Sequence, residues 1–242
     1  MLTEKILETN LNCNQLIIDR LKTLSLAAEI NPDFKDPHIH GGYLRNIALG
    51  KDPKDCDVTF KGYTQNQPGI LESVIEAEKR LGVKNENGWD FENAYATELS
   101  SDFYEIILGK FSHHTDYLTM LAMDTSGNLY TGGKKTISDL DRRVFDLRFE
   151  GVEIWASYRG KGRSYASCIV GDLTRGLYFG QLLGLNHSTT AAFLTQNFDH
   201  FFNSLESEDQ KARINFWLKK TNGDTSYKPI LDKFGVTVLP IL

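Results

Sequence analysis

Apolar and polar residues recur along this chain with two periods, and the switches between those periods divide it into elements. From Asn12 to Ile30, Leu16, Ile17, Leu21, Leu24 and Ala28 recur at helical spacing, and Pro32 stands just beyond as a stop. Residues 37–40 read as a short strand that runs into Gly41 and Gly42. A short helix carrying Arg45 follows, then a second turn at Gly50 and a strand that carries Asp55 and Asp57 up to Phe60. After a polar turn, Gly69 to Leu81 (GILESVIEAEKRL) has the pattern of an amphipathic helix ended by Gly82. Lys84 to Ser101 has little periodicity and reads as a loop or insertion. Phe103 to Leu108 and Thr115 to Met123 read as strands, and Asn128 to Tyr130 follows a turn at Thr125 to Gly127.

The second half of the pattern is helical. Gly160 to Gly162 makes a break, and Arg163 to Leu185 reads as a long helix interrupted by Gly171, Gly176 and Gly180 that ends near Gly184. Thr189 to Leu205 reads as a helix whose Phe193, Phe198, Phe201 and Phe202 belong to a core rather than to a base-stacking platform. Lys211 to Lys220 is a short basic amphipathic helix, and the tail VTVLPIL is apolar. The fold class is α+β: a head domain over residues 1–150 with a mixed sheet and flanking helices, then a mainly helical domain over 151–242.

Composition narrows the setting. Lys plus Arg number 27 against 32 for Asp plus Glu, a formal charge of −5, which argues against indiscriminate polyanion binding but leaves room for a local basic face. Cys13, Cys56 and Cys168 are scattered without a CxxC, as suits a reducing cytosol, and offer no zinc pattern. No apolar run approaches the roughly 20 residues of a membrane span, and MLTEKILETN lacks a signal-peptide layout. The expectation is a soluble cytoplasmic protein with no membrane partner.

The chemistry concentrates in His40 to Phe60, HGGYLRNIALGKDPKDCDVTF. Residues two apart on a strand face the same way, so the Asp55 and Asp57 carboxylates would project side by side as a hard oxygen site suited to magnesium. Gly41 and Gly42 permit close backbone approach, and their amides can face a phosphate; Arg45 adds a fixed positive fork. Together these features describe the handling of a nucleoside triphosphate. His38 and His40 alternate on the strand before the glycines without a third ligand, and read as hydrogen-bonded residues rather than as a metal site.

The spacing Gly41-Gly42, Arg45, Gly50, Asp55, Asp57 resembles the head-domain signature of the class II CCA-adding enzymes and bacterial poly(A) polymerases, a branch of the polymerase-β-like nucleotidyltransferases. One departure sits inside it: that family carries Asp after the arginine, and this chain has Asn46. The resemblance implies a polymerase-β-like head and a small helical neck, in a short form without body and tail domains. It implies two magnesium ions held by Asp55, Asp57 and a third carboxylate on a neighbouring strand, with Asp116 as candidate and Glu105 as competitor. It implies in-line transfer of a nucleotide from ATP or CTP to an RNA 3′ end, tRNA above all.

Residues 136–149 resemble the family's second motif through Asp139, Leu140, Arg142, Arg143 and Phe145, although Val144 and Arg148 replace an expected Asp and Asn. Arg142 and Arg143 suit a triphosphate or nucleic-acid backbone. Residues 163–185 resemble the neck, where an aspartate and an arginine read the incoming base. An ungapped register leaves only Arg175 in its place one turn past that motif; a register with a three-residue deletion supplies Asp172 with Arg175. At i, i+3 these two also share a helix face and can simply pair with each other. Which nucleotide is added stays open at this level. So does the acceptor, with a protein or small molecule as the alternative to RNA, and so does a nucleotide-binding module without turnover.

Overall fold

The computed structural model describes residues 2–53, 56–61, 67–84, 88–94, 116–149 and 165–221. Two compact units divide the chain: Met1–Ser112 with Tyr117–Arg142, and His113–Asp116 with Arg143–Leu242.

In the first unit, local capping sets the helix starts. Thr3 Oγ1 accepts the Ile6 amide at the head of α1 (Glu4–Asn12), and Asn14 Oδ1 accepts the Leu16 and Ile17 amides at the head of α2 (Gln15–Ile30). The stripe of α2 buries Ile17, Leu21 and Leu24 as its period requires, but Leu16 is 47% exposed and the charged Arg20 is 1% exposed. Strand β1 (Lys35–His40) leads through Gly41 into α3 (Gly42–Ala48), then β2 (Cys56–Lys61), α4 (Gln67–Leu81) and β3 (Trp89–Ala94). Strands β4 (Leu121–Asp124) and β5 (Leu129–Thr131) and helix α5 (Lys134–Arg142) complete the unit.

The sheet runs β3-β2-β1-β4-β5, antiparallel throughout except for the parallel β2–β3 pair. Along β1 and β2, Ile39, Val58 and Phe60 are fully buried and alternate with His38, His40, Asp57 and Thr59, so one face of the sheet is apolar and the other carries the polar groups. Helix α2 packs against both α4 and β1, and Phe34 meets Phe60 edge-on with centroids 5.1 Å apart.

Several elements differ from the sequence expectation. Trp89–Ala94 is a strand inside the stretch read as a loop. Strand β4 begins at Leu121 rather than at Thr115: Asp116 makes an isolated bridge to Leu147, and Tyr117–Thr119 is a 3₁₀ turn. The long helix of the second unit, α6 (Tyr165–Leu183), runs without interruption through Gly171, Gly176 and Gly180.

The second unit also holds a small parallel pair, β6 (Val144–Phe145) with β7 (Asn186–His187), then α7 (Thr189–Gln196), α8 (Phe198–Asn203) and α9 (Ser207–Thr221). The helix expected over 189–205 is therefore two helices that part at Asn197. Phe198 and Phe202 are core, stacked with centroids 6.0 Å apart, while Phe193 is 62% exposed. Gly176 is buried against Phe145: a Cβ built there would lie inside contact distance of the ring. The expected strand over 103–108 and the apolar tail lie outside the described residues. No helix among the described residues is long and apolar enough to cross a membrane.

Candidate functional site

The site is built on the turn from β1 into α3. Gly41 has φ +68° and ψ −130°, a backbone region that side chains avoid, and its amide donates to the Leu121 carbonyl at 2.9 Å. That conformation turns the chain sharply enough for α3 to start at Gly42, directly after the strand. A Cβ on Gly41 would stand 3.5 Å from Asp57 Oδ2, so the carboxylate lies against bare backbone.

Register brings a second group to Asp57. His40 is its direct partner across the antiparallel β1–β2 pair, and opposite residues share a face, which sets His38, His40, Asp57 and Thr59 together. His40 and His38 are buried, at 8% and 4% exposure, and His38 Nδ1 bonds the Asp36 carbonyl at 2.8 Å.

Arg45 sits one turn into α3 and folds back over the helix start: a Cβ on Gly42 would lie 3.4 Å from Arg45 Nη2. Its Nε and Nη2 both donate to Asn46 Oδ1, at 3.0 and 2.8 Å, and Asn46 Nδ2 donates to the Asp52 carbonyl at 3.4 Å. Behind the strand, burial pushes the Cys56 thiol well above its ordinary range against the opposing pull of Arg20, so Cys56 is a packed apolar group and no nucleophile. Burial likewise raises the Tyr43 phenol, with Cys56 adding to the shift and Arg20 opposing it.

The structure thus brings Gly41, Gly42, Arg45 and Asp57 together in the first unit. Asp55 lies outside the described residues, as do Glu105, His113 and His114. Among the described residues no group of three or more His, Cys, Asp or Glu is placed to hold a metal ion. Arg142 is the last residue of α5, in the first unit.

Asp116 is counted with the second unit, is 1% exposed, and has Arg175 Nη1 4.0 Å from its Oδ2. Arg175 lies on α6 with its side chain 45% exposed, one turn after the half-buried Asp172. Arg143, at φ +52°, follows the end of α5, and its carbonyl accepts the Asn186 amide at 2.8 Å. Sequence reasoning missed the His40–Asp57 pairing, the Arg45–Asn46 fork and buried Arg20. The last had a signal: an arginine three residues after Ile17 and three before Thr23, inside the apolar stripe.

No protein-family model matches the chain, and no curated protein matches it. Solved structures do. The chain aligns with a tRNA-processing enzyme in an apo form at TM-score 0.58 and 17% identity, over 92% of this chain and 57% of that one. It aligns with a CCA-adding enzyme solved with CTP at TM-score 0.57 and 13% identity, over 93% and 52%. A tRNA nucleotidyltransferase in complex with a primer tRNA and an incoming ATP analogue aligns at TM-score 0.54 and 17% identity, over 88% and 59%. The chain spans little more than half the length of these proteins, and it shares with them the fold of a nucleotidyltransferase head, a mixed sheet with flanking helices.

Proposed function

We propose that the chain is a nucleotidyltransferase that transfers the nucleotide of ATP or CTP to an RNA 3′ end of tRNA type. The observation that carries this reading is the Asp57 carboxylate seated against the bare backbone of Gly41, with Arg45 folded over Gly42, on a fold shared with nucleotidyltransferases. In the proposed reaction a 3′-hydroxyl gives up its proton to solvent as its oxygen attacks the α-phosphorus, the bond from that phosphorus to the α–β bridging oxygen breaks, and pyrophosphate leaves with the bonding pair.

The residues divide the work. Gly41 and Gly42 let the triphosphate approach the main chain, and Arg45 is the candidate for charge contact with its oxygens. Arg142 and Arg143 are candidates for phosphate contact, and Asp172 and Arg175 for the base. Asp57 offers the hard oxygen donor that magnesium prefers, and with Asp55 and Asp116 would hold it. Two bound magnesium ions would supply activation of the attacking hydroxyl and neutralisation of the departing pyrophosphate.

Incubation of the purified chain with magnesium, each labelled nucleoside triphosphate, and total RNA plus total protein from a cell extract tests the reading. Label enters tRNA-sized RNA, and Asp57→Asn and Asp116→Asn each reduce the rate about a thousandfold, equivalent to about 4 kcal/mol of barrier, with Tm unchanged in Asp57→Asn. Label in protein alone would move the acceptor away from RNA, and no label with any nucleotide would sink the transferase reading.

A further inference from the structure

A carboxylate that binds a hard cation must keep its lone pairs aimed, and an aspartate on a strand keeps that aim only as far as its surroundings restrict its rotamer. Asp57 has two such surroundings. One is bare backbone: a Cβ on Gly41 would stand 3.5 Å from Asp57 Oδ2. The other is His40, the direct partner of Asp57 across the antiparallel β1–β2 pair. Residues so paired share a face of the sheet, with their Cβ atoms about 5 Å apart.

The rest of that face narrows what the imidazole addresses. Across β1–β4 the partner of His40 is Ala122, a buried methyl with no polar group. His38, two residues back, donates from Nδ1 to the Asp36 carbonyl. The Asp124 carboxylate, diagonal to His40 on β4, accepts from the Ser126 and Asn128 amides, the Asn128 side chain and the Tyr130 hydroxyl. Among the described residues of this face, Asp57 is the carboxylate that register sets directly opposite the ring. His40 is 8% exposed, so the ring meets protein rather than bulk water, where a hydrogen bond is worth more. Imidazole carries an N–H whether neutral or charged, so donation to a carboxylate requires no particular protonation state.

Resting on the magnesium site proposed above, we infer that His40 is a positioning residue for Asp57: its ring N–H holds one carboxylate oxygen and leaves the other directed at the cation. His40 touches neither metal nor nucleotide; its effect passes through Asp57.

The test is binding of manganese(II), a paramagnetic stand-in for magnesium, followed by electron paramagnetic resonance on the full chain for wild type, His40→Val, His40→Asn and His40→Gln. His40→Val binds manganese(II) about tenfold more weakly, as expected when a hydrogen bond to a metal ligand is removed. Asparagine and glutamine place an amide N–H near the positions of Nδ1 and Nε2, and the better of the two returns to within about threefold of wild type. In turnover His40→Val raises the half-saturating magnesium concentration about tenfold, while KM for nucleotide at saturating magnesium stays within about twofold of wild type. A second measurement needs no folded valine variant: in chain carrying isotope-labelled histidine, Asp57→Asn moves the ring nitrogen resonances that are missing from His40→Gln. Manganese(II) bound by His40→Val as tightly as by wild type, amide variants that recover nothing, or ring resonances unmoved by Asp57→Asn each overturn the inference and leave the metal site standing. Wild type that binds no manganese(II) overturns the metal site and the inference with it.

Discussion

The guanidinium carbon of Arg20 lies 3.9 Å over the ring centroid of Trp89 and 5.6 Å from that of Tyr43. Arg20 belongs to α2, Tyr43 to α3 and Trp89 to the edge strand β3, so one buried side chain ties together three elements far apart in sequence. Trp89 is further held by its indole N–H, which donates to Glu78 at 2.9 Å. The stacking needs a flat cation, which lysine does not provide.

Arg20→Ala is expected to destabilise the chain by about 3 kcal/mol, through lost stem packing and lost stacking, and Arg20→Lys to recover less than half of that. Urea denaturation followed by tryptophan fluorescence measures both. Equal stability of the lysine variant and wild type would mean that charge, not planarity, is what the site uses.

Gly41 and Gly50 separate backbone strain from site geometry. Both have positive φ, +68° and +69°, so alanine costs about 1–3 kcal/mol at either position. Only at Gly41 does the added methyl approach Asp57; at Gly50 nothing lies within 4 Å. Gly41→Ala therefore loses stability and turnover together, whereas Gly50→Ala loses stability and keeps its kcat once folded. Tm and initial rates on the two variants check this.

On α6, Gly176 and Gly180 are one turn apart and call for opposite outcomes. A methyl at Gly176 collides with the Phe145 ring, and Gly176→Ala costs about 1–3 kcal/mol in overpacking. At Gly180 the nearest atoms are the Leu185 carbonyl oxygen at 3.4 Å and His187 Nε2 at 3.5 Å, ordinary contacts. Gly180→Ala gains up to about 1 kcal/mol of helix propensity. Chemical denaturation of the two variants gives shifts of opposite sign.

Asp124 makes stability depend on acid. Burial raises its carboxyl, but bonds from the Asn128 side chain and amide, the Tyr130 hydroxyl and the Ser126 amide outweigh it, so the net shift is downward. A lowered folded-state value means that its contribution is fully present above the ordinary carboxylate range near pH 4. It is lost as pH falls through the folded-state value. Urea midpoints of wild type and Asp124→Asn at pH 7 and pH 3 test this: the variant is less stable at pH 7, and the difference shrinks at pH 3.

Much of the head was legible in the sequence because local rules govern it. The period of α2, the stop at Pro32, the turn at Gly41 and the alternation through Asp57 each depend on a few adjacent residues. What escaped depends on distant partners. Strand β3 shows its W-D-F-E alternation over only four residues amid polar neighbours, and pairing with β2 makes it a strand. The glycines of α6 look like interruptions until Phe145 is seen beside Gly176, where the missing side chain lets the two elements approach. Asp116 follows two histidines and precedes an apolar run, which mimics a strand start, but its backbone partner is Leu147, whose place no local pattern reveals. Asn46 was visible as a departure from a motif, and only its two-sided hydrogen bonding explains the amide.

The bridge between Asp116 and Leu147 also limits how the molecule can be dissected. Asp116 is counted with the second unit although the residues that follow it, Tyr117–Arg142, return to the first. A fragment that ends at Arg142 carries Asp116 away from both Leu147 and Arg175, and one that starts at Arg143 lacks an aspartate that its own fold engages. The halves are interleaved along the gene, so expression of either one alone removes a backbone pairing that only the uncut chain provides.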